Sequence, residues 1–131
     1  MGSPAAKQGD RIVGVDTHIV MIPSPGGPVP TPLPSPFVGE LGDELSDDVN
    51  IQGKPAATEG SKASNSPSHI PAGGNFQSQP ADEGEVMMGS SSVFINGKAV
   101  ARMGDTANTC NDPADAPVGS VIAVSTVLVG G

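Results

Sequence analysis

The chain has no tryptophan, no tyrosine and only three phenylalanines. A packed core usually draws much of its buried area from large aromatic rings, so the core here has to be thin and built from smaller side chains. A single cysteine, Cys110, excludes an internal disulfide and leaves that thiol either as a small buried hydrophobe or as a ligand. Basic residues are scarce as well. Six Lys and Arg against 14 Asp and Glu give a net charge of −8, which opposes contact with phosphate backbones or anionic headgroups. Nucleic acid is therefore not an expected partner. Long apolar runs are missing: Val118 to Val129, the most apolar stretch, is interrupted by Gly119, Ser120, Ser125 and Thr126 and falls short of the roughly 20 residues a spanning helix needs. No bilayer crossing and no stable membrane insertion are expected. The start, Met1 to Lys7, lacks the apolar core of a signal peptide, so synthesis in the cytoplasm is expected.

What the chain has is glycine and proline, 18 and 14 among 131 residues, a density that weighs against a helical bundle. Hydrophobic residues at 36% and charged ones at 15% are neither a disordered nor a membrane composition. The expectation is one domain over residues 1–131, all-β, with short hairpins and long Pro/Gly-rich loops.

Internal repetition supports this. Asn50 to Ser61 aligns without gaps on Phe94 to Asp105 in the frame Ile-x-Gly-Lys-x-x-Ala-x-x-Gly, and Pro4 to Asp10 matches the second half of the frame. Two full copies and one half copy follow. In the last copy Asn96-Gly97, between Val93-Phe94-Ile95 and Ala99-Val100-Ala101, predicts a type I′ hairpin, because both central residues tolerate positive φ. Gln52-Gly53 is a weaker version of the same turn. Further strands are expected at Arg11 to Val15, Ile19 to Ile22, Glu85 to Met88 and Ser120 to Leu128.

Two long segments separate the units. The Pro-rich insertion 23–48 carries prolines at 23, 25, 28, 30, 32, 34 and 36, which predicts a stiff, extended surface loop with few donors for a sheet. The Ser/Pro-rich segment 61–84 reads as a second loop. Within the first, Asp43, Glu44, Asp47 and Asp48 lack the spacing of a calcium loop and read as a solvated acidic cluster.

The repeat register points to chemistry. His18 lies nine residues after Gly9, His69 nine after Gly60, and Cys110 six after Gly104. Each unit thus delivers one imidazole or thiolate, the donors zinc prefers, shortly after its glycine turn. A metal joining three loops would staple a small core. For the fourth position Asp16, Asp112, Asn111, water or no metal at all stay open. Catalytic motifs are lacking: there is no HExxH helix, no GxSxG elbow and no phosphate loop.

Pro4-Ala5-Ala6-Lys7-x-Gly9-Asp10 and Val93-Phe94-Ile95-Asn96-Gly97-Lys98-Ala99-Val100-Ala101-Arg102-x-Gly104-Asp105 resemble the PAAR-repeat family, with Lys7 in place of the Arg of the name motif. The resemblance implies a small conical β-protein with a pseudo-threefold arrangement. It also implies a non-enzymatic structural role as the tip of a trimeric β-helical spike, one copy per trimer, in type VI secretion or related contractile injection systems. Such a tip would be assembled on the particle and delivered outside the cell or into a target cell, with effectors as further partners. It implies a structural zinc on His18, His69 and Cys110, where the family's site usually has three His and one Cys. Val118 to Val129 and the Val93 to Ala101 hairpin are the expected spike contacts. The alternative is a toxin or enzyme module associated with a spike tip, and the lack of an extension beyond Gly131 leads the expectation away from a fused effector.

Overall fold

A computed structural model describes residues 2–130, and all its elements are strands and turns. The strands are β1 (Ser3–Pro4), β2 (Arg11–Ile22), β3 (Val29–Asp43), β4 (Asn50–Ile51), β5 (Lys54–Pro55), β6 (Lys62–Asn65), β7 (Asn75–Phe76), β8 (Glu83–Val86), β9 (Phe94–Ile95), β10 (Lys98–Ala99), β11 (Thr106–Thr109), β12 (Ala116–Ile122) and β13 (Leu128–Val129). Among the described residues there is no helix, so the all-β expectation holds.

Three glycine turns organise the molecule. Gly9, Gly60 and Gly104 have φ of 91°, 93° and 89°, a left-handed conformation that glycine adopts at little cost. Each turn feeds one strand, β2, β6 or β11, and hydrogen-bonds to the strand that returns. Gly9 N–H donates to Leu41 O, Gly60 to Val86 O and Gly104 to Val121 O, at 3.0, 2.9 and 2.8 Å. The antiparallel pairs β2–β3, β6–β8 and β11–β12 then join one another through β3–β6, β8–β11 and β12–β2. Six strands thus close into a barrel with no free lateral edge at this level.

Below the barrel the three repeat units interlock. Ala6 N–H donates to Ala101 O at 2.9 Å, Ala101 N–H to Ala57 O at 3.0 Å, and Ala57 N–H to Ala6 O at 3.0 Å, which completes a cycle. Each unit also bridges the next through Ala5–Arg102, Lys7–Ala56 and Thr58–Val100. This is the pseudo-threefold arrangement expected from the repeat.

Two of the units carry the anticipated hairpins, β4–β5 and β9–β10, with positive φ at Gln52, Gly53, Asn96 and Gly97. The N-terminal half copy is completed in space by the C-terminal strand, since β1 pairs with β13. Ala5 N–H bonds Val127 O as Ala56 bonds Val49 O and Val100 bonds Val93 O. Val127-x-Val129 therefore stands where Val49-x-Ile51 and Val93-x-Ile95 stand in the other units.

The core is thin, as the aromatic shortage dictates. Phe37 is the largest fully buried side chain, packed with Ile12, Leu41, Val86, Val121 and the alanines of the ring. Gly84 opposes it closely: a Cβ there would lie 3.0 Å from the Phe37 ring.

Three sequence expectations are corrected. The proline segment is not a loop from 29 onward: β3 pairs residue for residue with β2 from Ile22–Val29 to Arg11–Glu40. Val38 N–H points away from β2, to Asn65 Oδ1 at 2.9 Å, and peptide groups alternate along a strand. Pro30, Pro32, Pro34 and Pro36 share that parity, so the missing N–H groups fall on the outer edge and the ladder to β2 loses nothing. Second, the two strands expected within 11–22 are one, β2, and the segment 61–84 contains β6 and β7 and the first residues of β8. Third, the strand expected at Ser120 to Leu128 breaks after Ile122 and resumes at Leu128. Gly119 and Ser120 are paired on both sides, so no backbone edge is free there for a partner.

Candidate metal centre

Period-two alternation along β2 puts Asp16 and His18 on one face, pointing inward, and both are completely buried. Cys110 follows directly on β11, and His69 comes from the connection between β6 and β7. The structure brings His18, His69 and Cys110 together and adds Asp16: one donor atom from each of the four lies within 4.8 Å of all the others. His69 Nε2 is 2.9 Å from Asp16 Oδ2, Cys110 Sγ is 3.3 Å from the same oxygen, and His18 Nε2 is 3.8 Å from it and 3.9 Å from Sγ. Asp16 Oδ1 accepts a hydrogen bond from Thr109 Oγ1.

Of the other donors considered for the fourth position, Asn111 and Asp112 serve the backbone of β2. Asn111 Oδ1 accepts from Thr17 N–H at 2.7 Å and Asp112 Oδ2 from Ile19 N–H at 2.9 Å. Asp112 Oδ2 also lies 3.5 Å from His18 Nδ1, behind the ring and away from the cluster. That nitrogen is buried without a hydrogen-bond partner among the described residues. A carboxylate behind the distal nitrogen is the usual device for orienting a ligating imidazole.

His69 is held from its own side. Asp82 Oδ1 accepts from His69 N–H at 2.9 Å and from Asn65 Nδ2 at 3.2 Å, and Asn65 Nδ2 reaches His69 Nδ1 at 3.3 Å. The rings of His18 and His69 are 4.7 Å apart, and Phe76 meets His18 edge-on at 5.6 Å. Sequence reasoning missed Thr109, Asn65, Asp82 and Phe76. Thr109, Asn65 and Phe76 end short strands and Asp82 precedes one, and single polar or aromatic residues at such places carry no spacing that announces such support.

The electrostatics favour a cation. A wholly buried carboxylate is costly without a compensating charge, and the partners of Asp16 are Thr109, two imidazoles and a thiol. Burial, reinforced by the neighbouring Asp16 carboxylate, pushes the Cys110 thiol up to about 12. A divalent ion would compensate the carboxylate and favour the thiolate at once. The spacing fits as well: a tetrahedron with metal–donor bonds of about 2.0–2.3 Å has edges of roughly 3.3–3.8 Å, close to the separations above. Four protein donors fill such a tetrahedron and leave no open position for a substrate, which is the pattern of a structural site.

A model of the PAAR motif matches residues 21–113 and 77–131. The chain belongs to the PAAR-motif family. The chain matches no curated protein. PAAR motifs are associated with spike-tip proteins of type VI secretion systems. The structure also accounts for the departures from the name motif. Lys7 Nζ pairs with Asp10 at 3.2 Å as Arg102 Nη2 pairs with Asp105 at 3.0 Å, while the middle copy, with Thr58 and Ser61 at the equivalent positions, keeps only the backbone cap, Thr58 N–H to Ser61 Oγ at 2.9 Å. Lys7 and Arg102 N–H make that same cap to Asp10 and Asp105, so the turn needs an oxygen three residues on more than it needs a particular cation.

Proposed function

We propose that the chain caps a trimeric β-helical spike as one copy per trimer, forms the leading point that enters a target envelope, and helps carry effectors. The observation that carries this is the closed cycle of Ala6, Ala57 and Ala101, which joins three related two-stranded units, β1–β13, β4–β5 and β9–β10, in a single polypeptide. A threefold partner presents three identical surfaces, and a chain that repeats its unit three times can meet them all. Exposed Phe94, on β9, and Leu128, on β13, occupy equivalent places on two of these units and supply apolar contact.

We propose further that the cluster holds zinc through Asp16, His18, His69 and Cys110. Two nitrogens, one sulfur and one oxygen in a closed site are a zinc donor set. The ion's contribution is structural, joining β2, the end of β11 and the β6–β7 connection.

Co-expression with a trimeric β-helical spike tests the first proposal. Capture by the spike is expected for wild type and for Ile70→Asp, and loss for the double variant Phe94→Asp, Leu128→Asp. Equal capture of all three would contradict the docking face. Elemental analysis of purified protein tests the second, with one zinc per chain expected and none after Cys110→Ala.

A further inference from the structure

One member of the buried cluster differs chemically from the rest. An imidazole or a thiolate offers a single atom to an ion, whereas a carboxylate has two oxygens and can offer one or both. In Asp16 the two oxygens have separate partners. Oδ2 faces the cluster, with His69 Nε2 at 2.9 Å, Cys110 Sγ at 3.3 Å and His18 Nε2 at 3.8 Å. Oδ1 is the oxygen that accepts the hydrogen bond from Thr109 Oγ1.

The chain fixes both ends of that bond. Alternation along β11 turns Ala107 and Thr109 inward, and both are completely buried. The β11–β12 register shifts between them, with Ala107 opposite Gly119 and Thr109 opposite Ala116. Threonine is branched at Cβ, so the place of its methyl decides the place of its hydroxyl. The methyl lies over Gly119: a Cβ on that glycine would come within 2.8 Å of Thr109 Cγ2, so any side chain there would displace it. Seated in that hollow, Thr109 turns Oγ1 to Asp16. The carboxylate is anchored as well. Asp16 faces Ser35 of β3, and on the other edge of β2 the next residue, Thr17, is bonded through N–H to Asn111 Oδ1 at 2.7 Å and through its carbonyl to Asp112 N–H at 2.8 Å.

Building on the zinc reading above, we infer that Thr109 restricts Asp16 to one ligating oxygen and so sets the coordination number of the site at four. Thr109 acts through Asp16, as a positioning residue. Asp112 at His18 Nδ1 and Asn65 at His69 Nδ1 orient rings that have one donor to give in either case. Thr109 does more, because it decides how many donors its neighbour supplies. With Oδ1 engaged, the cluster presents two nitrogens, one sulfur and one oxygen, the number that zinc takes in a structural site. With Oδ1 released, a fifth donor stands beside the other four and the tetrahedron is no longer enforced.

Cobalt(II) is the probe for the test, carried out on the full chain. It occupies zinc sites, and its visible absorption is several-fold stronger with four ligands than with five or six. A thiolate-to-cobalt band in the near ultraviolet reports Cys110 separately. Wild type and Thr109→Ser, which keeps the hydroxyl, are expected to show the near-ultraviolet band and strong visible absorption. Thr109→Val keeps the shape and loses the hydroxyl. It is expected to retain the near-ultraviolet band while its visible absorption falls several-fold, and to bind zinc about 10–100-fold more weakly against a competing chelator. A residue that serves packing alone would leave the visible spectrum of Thr109→Val as in wild type, and that result would overturn the inference. Weak visible absorption in wild type alongside a clear near-ultraviolet band would also overturn it, in both cases leaving the zinc reading intact. A wild-type spectrum without the near-ultraviolet band would remove both together.

Discussion

Asp16 is the residue on which the buried cluster turns. It touches both imidazoles, the thiol and Thr109, and among the described residues no lysine or arginine pairs with it. Asp16→Ala is expected to abolish metal retention. Asp112→Ala, which removes the carboxylate behind His18, is expected to weaken metal affinity by about 10–100-fold, measured by titration against a competing chelator. The thiol supplies a pH test in metal-free protein. Its ordinary value of 9.0 is pushed up to about 12, first by burial and then by Asp16. Below the lower value the thiol is neutral in both folded and unfolded chains and has no effect. Between the two values only the unfolded chain ionises, so stability falls as pH rises through that window. The melting temperature of chelator-treated wild type is therefore expected to drop more steeply above pH 9 than that of Cys110→Ser. Parallel curves would show that the thiol is not held neutral. The sequence could nominate His18, His69 and Cys110 because the repeat register aligns them with their glycine turns. It could not choose among Asp16, Asp112 and Asn111, since all three lie within two residues of a nominated donor and only the path of the chain decides which carboxylate faces inward.

At the scale of elements, the β9–β10 hairpin was readable from Asn96-Gly97 alone, because that dipeptide fixes its turn locally. β3 was not. Proline density normally argues against a strand, and the saving detail is parity: every proline from 30 to 36 falls on the edge away from β2. Pro34→Ala restores an outward N–H, leaves the β2 ladder untouched and is expected to change stability little. Moving a proline by one residue, as in Leu33→Pro, removes a donor to β2 and is expected to cost about 3 kcal/mol or more in denaturant unfolding. Equal effects of the two substitutions would refute the parity argument. Phe37, also on β3, is the only fully buried phenylalanine, and Phe37→Ala is expected to cost about 3–5 kcal/mol.

At the scale of the molecule, the two full copies and the half copy were visible in the sequence, while the completion of the half copy was not. Val127-x-Val129 echoes Val49-x-Ile51 and Val93-x-Ile95, but it sits at the opposite end of the chain from the unit it completes. Only closure of the fold joins them. The alanine cycle gives this symmetry an energetic signature. Ala6, Ala57 and Ala101 are completely buried where three backbones meet, so valine at any of them is expected to overpack the axis by about 1–3 kcal/mol, with similar costs at all three. A cost at one position alone would mean that the units are not equivalent. The central claim, that one chain imitates a trimer, is tested most directly by the native mass of its complex with a trimeric spike. The mass of one chain per three spike subunits is the expected result; three chains per trimer would contradict it.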